Sequence, residues 1–487
     1  MKVTLLDVWQ ALNVFAKESS PAEPTVTRPL SAVVIDSRQA EPGSLFVALP
    51  GEHTDGHNFV AHAFSRGALA ALVSRPVDGP YLTLDARLPN QEFSVQPGEP
   101  VCVLVDDTLV ALQKIAAAWR TRFAPRVIGV TGSVGKTTTK EIIAAVLGQR
   151  YVTLKSPGNL NNEIGLPLTV LQLEERHERV VLEMGMYDIG EIAQLCRIAQ
   201  PHVGVITNVG PVHLERLGTI ERVAQAKAEL LQALPANGTA VLNGDDPLVS
   251  AMAPQTRARV FRYGLGPESD LWADEIAGEG LEGIRFRFHY QGDVVHVRVP
   301  LLGRHSVHTA LRATAVGLIE GLSWDEIVPG LQNVETQLRL MVVRALNGAT
   351  LLDDTYNASP ASTLAALNLL ADLPVGNGRR IAVLGDMLEL GSYEEEGHRI
   401  VGARVADVAD SLITVGQRAR LIAAEAVASG LPATKVQAVA DSETALVRLR
   451  SMLGPGDVVL VKGSRASHMD EIATALSSPM GERRQEG

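Results

Sequence analysis

The chain has 487 residues, 46% of them hydrophobic and 20% charged, the proportions of a water-soluble globular protein with room for about three domains. Its 44 basic residues stand against 55 acidic ones, a net charge of −11, which speaks against nucleic acid as the main partner because backbone phosphates demand a basic footprint. Two cysteines, Cys102 and Cys196, lack metal-ligand spacing and fit buried thiols of a reducing compartment; no apolar run approaches the roughly 18 residues of a membrane span, so the expectation is a cytoplasmic protein.

Leu5, Val8, Trp9, Leu12 and Phe15 fall on one helical face, opened by the capping box Thr4-Leu-Leu-Asp7. Residues 1–122 read as a first α/β unit with strands near 33–36, 45–49, 69–73 and 101–105. The proline- and glycine-rich stretch Pro76–Pro100 reads as loops, and Arg120–Pro125 as a linker. The second unit, 123–330, carries buried-type strands at 127–130, 179–183, 203–207 and 239–242 between helical segments, the pattern of a doubly wound, mostly parallel sheet. Two alternating runs, from Ile284 and from Val295, split by Gly292-Asp293, predict an appended antiparallel hairpin. The third unit, 331–487, repeats strand and helix, with strands at 350–353, 380–384, 411–415, 436–440 and 457–461. It predicts a second, Rossmann-like sheet, without the glycine fingerprint of a dinucleotide site. The tail beyond Pro479 reads as disordered.

The stretch Arg126-Val-Ile-Gly-Val-Thr-Gly-Ser-Val-Gly-Lys-Thr-Thr-Thr-Lys140 is the most informative. A β-branched strand runs into a glycine turn and then a helix, so that backbone N–H groups and the positive helix end converge on one anion. Val130 stands where the textual P-loop pattern has its first glycine, but the strand–turn–helix context predicts a nucleoside triphosphate site. Lys136 would reach the β/γ-phosphates and Thr137 would offer its hydroxyl to Mg²⁺. A plain capped glycine turn would need only one of the three threonines at 137–139.

Ligands of such sheets gather at the carboxyl ends of strands. Glu183, Asn208 to His213, and Asp245-Asp246 follow three such ends. Glu183 and His213 could reach a metal beside the phosphates, the histidine suggesting a second, less usual cation site. Lys227, from the residues alone, reads as a surface lysine on a helix. Gly158-Asn-Leu-Asn-Asn-Glu-Ile-Gly165 is poor core or helix material and reads as a polar substrate clamp. Asp36-Ser-Arg38 and Gly51–Asn58 have the same character. In the third unit, Asp353-Asp354 and Lys462–Arg465 end strands with carboxylates and with bases suited to an anion. Charged strand ends spread over three units predict an active site at their junction.

Taken together, GVTGSVGKTTTK, GNLNNEIGLPLTVL, EMGM, ITNVGPVHLERLG with KAELL, DDTYNASPAST, LGDMLELG with His398, and VKGSRASHM resemble the Mur ligase family end to end. The resemblance implies a UDP-binding first domain, a central ATPase domain and a Rossmann-like third domain. It implies that the terminal carboxylate of UDP-N-acetylmuramoyl-tripeptide takes the γ-phosphoryl of ATP, and that the amine of D-alanyl-D-alanine displaces phosphate from the acyl phosphate. By motif, Thr131, Gly132, Ser133, Val134, Gly135, Lys136, Thr137 and Thr138 would hold ATP, with Thr137 and Glu183 on Mg²⁺. His213 would serve a second Mg²⁺, helped by Lys227, which matches a lysine that is carbamylated in the family. Arg339 and Asp354 would contact nucleotide from the third domain. Asp36, Ser37 and Arg38 would lie near UDP, and Asn159, Asn161 and Asn162 would face the muramyl peptide. Family members are usually monomers.

One departure stands out: Ser306 and Thr309 replace two asparagines that contact adenine in the family, and a hydroxyl cannot donate and accept from separate atoms as an amide does. Another Mur ligase or a folylpolyglutamate-type ligase shares the P-loop and the Lys227 environment but not Asn-Asn-Glu-Ile-Gly. A P-loop kinase or switch NTPase would leave the third unit without a purpose.

Overall fold

A computed structural model describes residues 2–12, 27–51, 54–88, 98–333, 341–345 and 348–477. The tail beyond Pro479 and Arg339 lie outside the described residues.

Three sheets follow one another along the chain. The first holds β1 (Val33–Val34), β2 (Leu45–Val47), β3 (Ala70–Val73), β4 (Leu82–Asp85) and β5 (Val101–Leu104), all parallel, in the order β1-β2-β3-β5-β4. Strand β4 corrects the reading of Pro76–Pro100 as loops. It is a sheet edge with only Leu84 buried, so it lacks the apolar run that marks a central strand.

The second sheet holds β6 (Arg126–Thr131), β7 (Thr153–Lys155), β8 (Arg179–Glu183), β9 (Val203–Ile206), β10 (Thr239–Asn243), β11 (Arg259–Gly264), β12 (Leu271–Gly278), β13 (Ile284–Tyr290) and β14 (Asp293–Val299). Its order is β14-β13-β12-β11-β10-β9-β6-β8-β7, parallel from β7 through β12, with β12, β13 and β14 antiparallel. The appended hairpin is therefore present. Its turn is Gln291-Gly292, both at positive φ, and Asp293 already pairs with Tyr290. Strands β7, β11 and β12 escaped the sequence reading. The first is three half-exposed residues, and the others alternate at the seam between parallel and antiparallel pairing.

The third sheet, with β15 (Met341–Arg344), β16 (Thr350–Asp354), β17 (Arg380–Gly385), β18 (Ser411–Val415), β19 (Val436–Val439) and β20 (Val458–Lys462), runs β15-β16-β20-β17-β18-β19. It is parallel but for the edge strand β15.

One apolar core runs without a break from the first sheet, through Trp9 and Trp119, to Leu182 and Leu230 under the second. The capping box forms as expected, Thr4 N–H donating to Asp7 and Asp7 N–H to the Thr4 hydroxyl. Asp7 also pairs with Arg122 at 2.5 Å. The expected linker at Arg120–Pro125 is a rivet. The helix Thr108–Arg120 ends in a buried arginine whose guanidinium donates to Ala199 O at 3.0 Å, Phe123 O at 2.8 Å and Pro125 O at 3.4 Å. Trp119 Nε1 adds a bond to Leu173 O at 3.2 Å. The third unit has cores of its own on the two faces of its sheet.

Replacing Arg120 with alanine leaves three carbonyls short of a donor in a dry seam. It is expected to destabilise the protein by about 2–4 kcal/mol, lowering the thermal midpoint by several degrees. A midpoint equal to the parent's in a calorimetric scan would show the seam to be wet and the rivet idle.

Candidate active site

Strand β6 delivers the glycine loop to the carboxyl edge of the central sheet. Gly132 sits at φ +148°, and a Cβ there would stand 1.8 Å from Thr207 Oγ1. Gly135, at φ +83°, caps the helix Lys136–Leu147. The loop takes its shape from the end of β9. Val134 N–H donates to Asn208 Oδ1 at 2.9 Å, while Asn208 Nδ2 and Thr207 Oγ1 both donate to Val134 O, at 3.0 and 2.7 Å. Ser133 N–H bonds Asn208 O at 3.0 Å, and the Ser133 hydroxyl exchanges bonds with Gly210. Asn208, which the sequence marks only as the end of a strand, is thus a shaping residue. A polar residue at a strand end one crossover from a P-loop was the available signal. Lys136 arches over the loop and donates to Gly132 O at 2.8 Å. Thr137 lies in the first turn of the helix, and the Thr131 hydroxyl is buried without a hydrogen-bond partner among the described residues.

Glu183 ends β8 with its side chain wholly buried. Its Oε1 accepts from Asn161 Nδ2 at 2.8 Å, and its Oε2 has no hydrogen-bond partner among the described residues. Lys140 Nζ lies 4.0 Å from that oxygen. This lysine is itself fully buried, donating to Ser156 O at 2.7 Å and Gly158 O at 2.9 Å and pairing with Glu141 at 3.0 Å. Glu141 in turn pairs with Lys155. Lys140 therefore joins the phosphate-loop helix to the asparagine-rich loop and faces the carboxylate. In the sequence Lys140 is only the last residue of the motif; its position one helical turn after Lys136 was the available clue.

The three asparagines expected to face a peptide line the same cavity, but two spend their side chains on the scaffold. Asn161 fixes Glu183, and Asn162 Oδ1 caps a short helix by accepting from Gly165 N–H at 2.9 Å. Asn159 shares the cavity wall.

His213, held at φ +56°, bonds through Nδ1 to Glu389 Oε2 of the third unit at 2.6 Å. Glu389 is also at positive φ. That bond is the main force drawing the Glu389 carboxyl below the usual carboxylate range. Lys227 is 2% exposed, which corrects the residue-only reading of a surface lysine. Burial, and then the charge of Lys136, hold its ammonium well below the ordinary lysine value.

In the third unit, Asp354 and Lys462 are paired neighbours on β16 and β20, 2.6 Å apart, and Lys462 also donates to Asn357 O at 2.9 Å. Across the cavity, Ser306 donates to Leu302 O at 2.6 Å and Thr309 Oγ1 accepts from Arg312 Nη2 at 2.8 Å. Both hydroxyls already have work inside the protein.

One cavity of about 740 Å³ is walled by Ser133, Val134, Gly135, Lys136, Thr138, Glu183, His213, Ser306 and Thr309 from the central unit and by Asp354, Glu389 and Lys462 from the third. Asp36, Ser37 and Arg38 do not line it. They form a short turn on the first sheet, Asp36 gripping Arg38 in a forked pair at 2.7–3.1 Å, with Ser37 Oγ 3.0 Å from His62 Nδ1. The Arg38 bonds hold the Asp36 carboxyl down at about 2. Among the described residues no group of three or more His, Cys, Asp or Glu could form a metal cage, and no helix is long and apolar enough to cross a membrane.

Family models match most of the chain: the Mur ligase family, catalytic domain over residues 29–120, the Mur ligase middle domain over 130–317, and the Mur ligase, glutamate ligase domain over 338–465. The chain is 38% identical over 455 residues to the UDP-N-acetylmuramoyl-tripeptide--D-alanyl-D-alanine ligase of Bacillus subtilis, covering 93% of this chain and 94% of that one. It superposes on a crystal structure of MurF from Acinetobacter baumannii with a TM-score of 0.83 at 31% identity, over 98% of this chain and 99% of that one. The MurF ligase from Thermotoga maritima in complex with ADP gives a TM-score of 0.75 at 30% identity, over 91% and 96% of the two chains.

Lys140→Met removes a cation bonded to two backbone carbonyls and leaves Glu141 and Glu183 short of a counter-charge. It is expected to cost about 3 kcal/mol or more of stability in urea unfolding, with Lys140→Arg recovering part of it. A methionine variant as stable as the parent would mean that the network carries no weight.

Proposed function

The chain belongs to the Mur ligase family, and we propose that within it the chain is an ATP-dependent amide ligase that adds D-alanyl-D-alanine to UDP-N-acetylmuramoyl-tripeptide in the synthesis of peptidoglycan precursors. The observation that carries the reading is the single cavity in which the glycine loop, Glu183, the asparagine loop and the Asp354–Lys462 pair meet. The tripeptide carboxylate attacks the γ-phosphorus of ATP and ADP leaves. The amine of the dipeptide then attacks the acyl phosphate, the new amide bond forms, and inorganic phosphate departs with loss of the amine proton.

The chemical obstacle is charge. A carboxylate approaching a triphosphate meets about 4 kcal/mol of repulsion per unit-charge pair at ~4 Å in an effective dielectric of ~20. Lys136 supplies part of the answer, and the N–H groups at the start of the Lys136 helix would cradle the phosphates, those of Ser133 and Val134 being spent on Asn208. The donor set beside the loop fits Mg²⁺. Glu183 keeps a buried carboxylate oxygen without a hydrogen bond, Thr137 offers a hydroxyl, and phosphate oxygens would complete a hard, oxygen-rich shell. When bound, the ion supplies positive charge that offsets the triphosphate. His213, through the ring nitrogen not given to Glu389, and Lys227 would serve a second ion. A buried amine whose ammonium form is disfavoured by burial and by Lys136 is suited to add CO₂, forming a carbamate and releasing a proton.

Ser306 and Thr309 would lie along adenine, Arg339 and Asp354 would meet the nucleotide from the third domain, and Asp36, Ser37 and Arg38 would take the UDP end. Asn159, Asn161 and Asn162 would border the peptide. We divide the chain into domains at 1–122, 123–330 and 331–487, working as a cytoplasmic monomer.

Phosphate release from ATP and Mg²⁺ should require both the tripeptide nucleotide and D-alanyl-D-alanine, with a product heavier than the tripeptide nucleotide by the dipeptide less water. Release indifferent to the dipeptide would overturn the choice of acceptor. With ¹³C-bicarbonate, a carbamate resonance is expected that disappears in Lys227→Arg. A parent spectrum without it sinks the carbamate.

A further inference from the structure

The helix Val307–Ile319 carries one charged residue that the ligase reading leaves without a task. Arg312 is 4% exposed, yet it makes no ion pair among the described residues. Its guanidinium is held by three neutral oxygens: Nε donates to Thr139 Oγ1 at 3.0 Å, Nη2 to Thr309 Oγ1 at 2.8 Å, and Nη1 to the Tyr263 hydroxyl at 3.4 Å. A guanidinium has five N–H donors, so two remain beyond these three bonds. A cation taken out of water with only neutral acceptors around it is costly, and a structure keeps one there when a ligand supplies the opposite charge.

The position says which ligand. Arg312 shares the cavity wall with Gly135 and Lys136, and its Nη2 lies 3.4 Å from where a Cβ on Gly135 would stand. Gly135 caps the helix whose first N–H groups point at the phosphate cradle. The unmatched charge therefore overhangs that cradle, held rigidly from the phosphate-loop helix by Thr139 and from its own helix by Thr309. Its field also reaches His305, where it adds to desolvation and to His308 in pushing the imidazole down to about 4.

Resting on the ligase reading, we propose that Arg312 is a further nucleotide-binding residue, a fixed guanidinium that grips the phosphate chain of ATP alongside Lys136. The forked, planar donor set suits phosphate oxygens, and its three tethers leave little side-chain entropy to lose on binding. Thr309 then acts as the tether of this arginine.

The test compares ligands that differ only in phosphate. Binding of ADP and of adenosine is measured by calorimetry, with Mg²⁺ present, on the parent and on Arg312→Met. ADP affinity should fall about ten- to hundredfold, the size expected for a charged hydrogen-bonded contact, while adenosine affinity stays within about twofold. In steady state the KM for ATP should rise more than kcat falls. Arg312→Lys keeps the charge but not the fork and should fall between. It carries the test alone if circular dichroism shows the methionine variant unfolded, with ADP again weakened and adenosine not. Equal losses for ADP and adenosine, or an unchanged ADP affinity in a folded variant, overturn the assignment. A parent protein that binds no ADP at all would instead overturn the ligase reading.

Discussion

Four buried charges converge on one glycine loop, and the rest of the site is arranged to make that tolerable. Lys140, Glu183, Lys227 and Arg312 are all at most 4% exposed. Ions taken out of water remain only if bonds or opposite charges replace the lost hydration. Lys140 solves this with two carbonyls and a carboxylate, and Glu183 with an asparagine and a nearby ammonium. Lys227 and Arg312 solve it only in part, one by tending toward the neutral amine and the other through neutral hydroxyls. On the proposed reading, a nucleotide and its metal would supply what the two incompletely satisfied cations and the Glu183 oxygen lack among the described residues.

Much of this was legible in the sequence, and the limits have physical reasons. The turn from β6 into the Lys136 helix needs glycine at two left-handed positions and a β-branched strand before it, so the motif announces itself. The hairpin β13–β14 shows because one face is dry and the other wet, which writes alternation into the sequence. Edge strands such as β4 and β7 carry no such mark, since half their surface faces water. Asn161 and Asn162 reveal a polar loop but not which partner each amide chooses, because that depends on where β8 and the next helix lie. Arg312 could not be read at all: an arginine amid alanines and leucines is unremarkable until the fold brings Thr139, 173 residues away, to within 3.0 Å of it.

The link between the central and third units has a different character from that between the first and central units. His213 meets Glu389 through a short polar contact between two residues in left-handed backbone conformations, and Gly391 fits where a Cβ would meet Leu214 and Glu215 backbone. The first unit instead shares an unbroken apolar core with the central one, riveted by Arg120. A polar seam exchanges its bonds for water at small net cost, whereas an apolar seam does not.

That shared core has a consequence for measurement of length. With the first and central sheets fused, the turn at Asp36–Arg38 and the carboxylate of Glu183 belong to one body, and the span between them cannot adapt. A substrate anchored at one end and reacting at the other is gauged against a ruler. If the substrate is held as proposed, a peptide one residue shorter or longer would be rejected because its carboxylate would stop in the wrong place, even if every side chain along it is welcome.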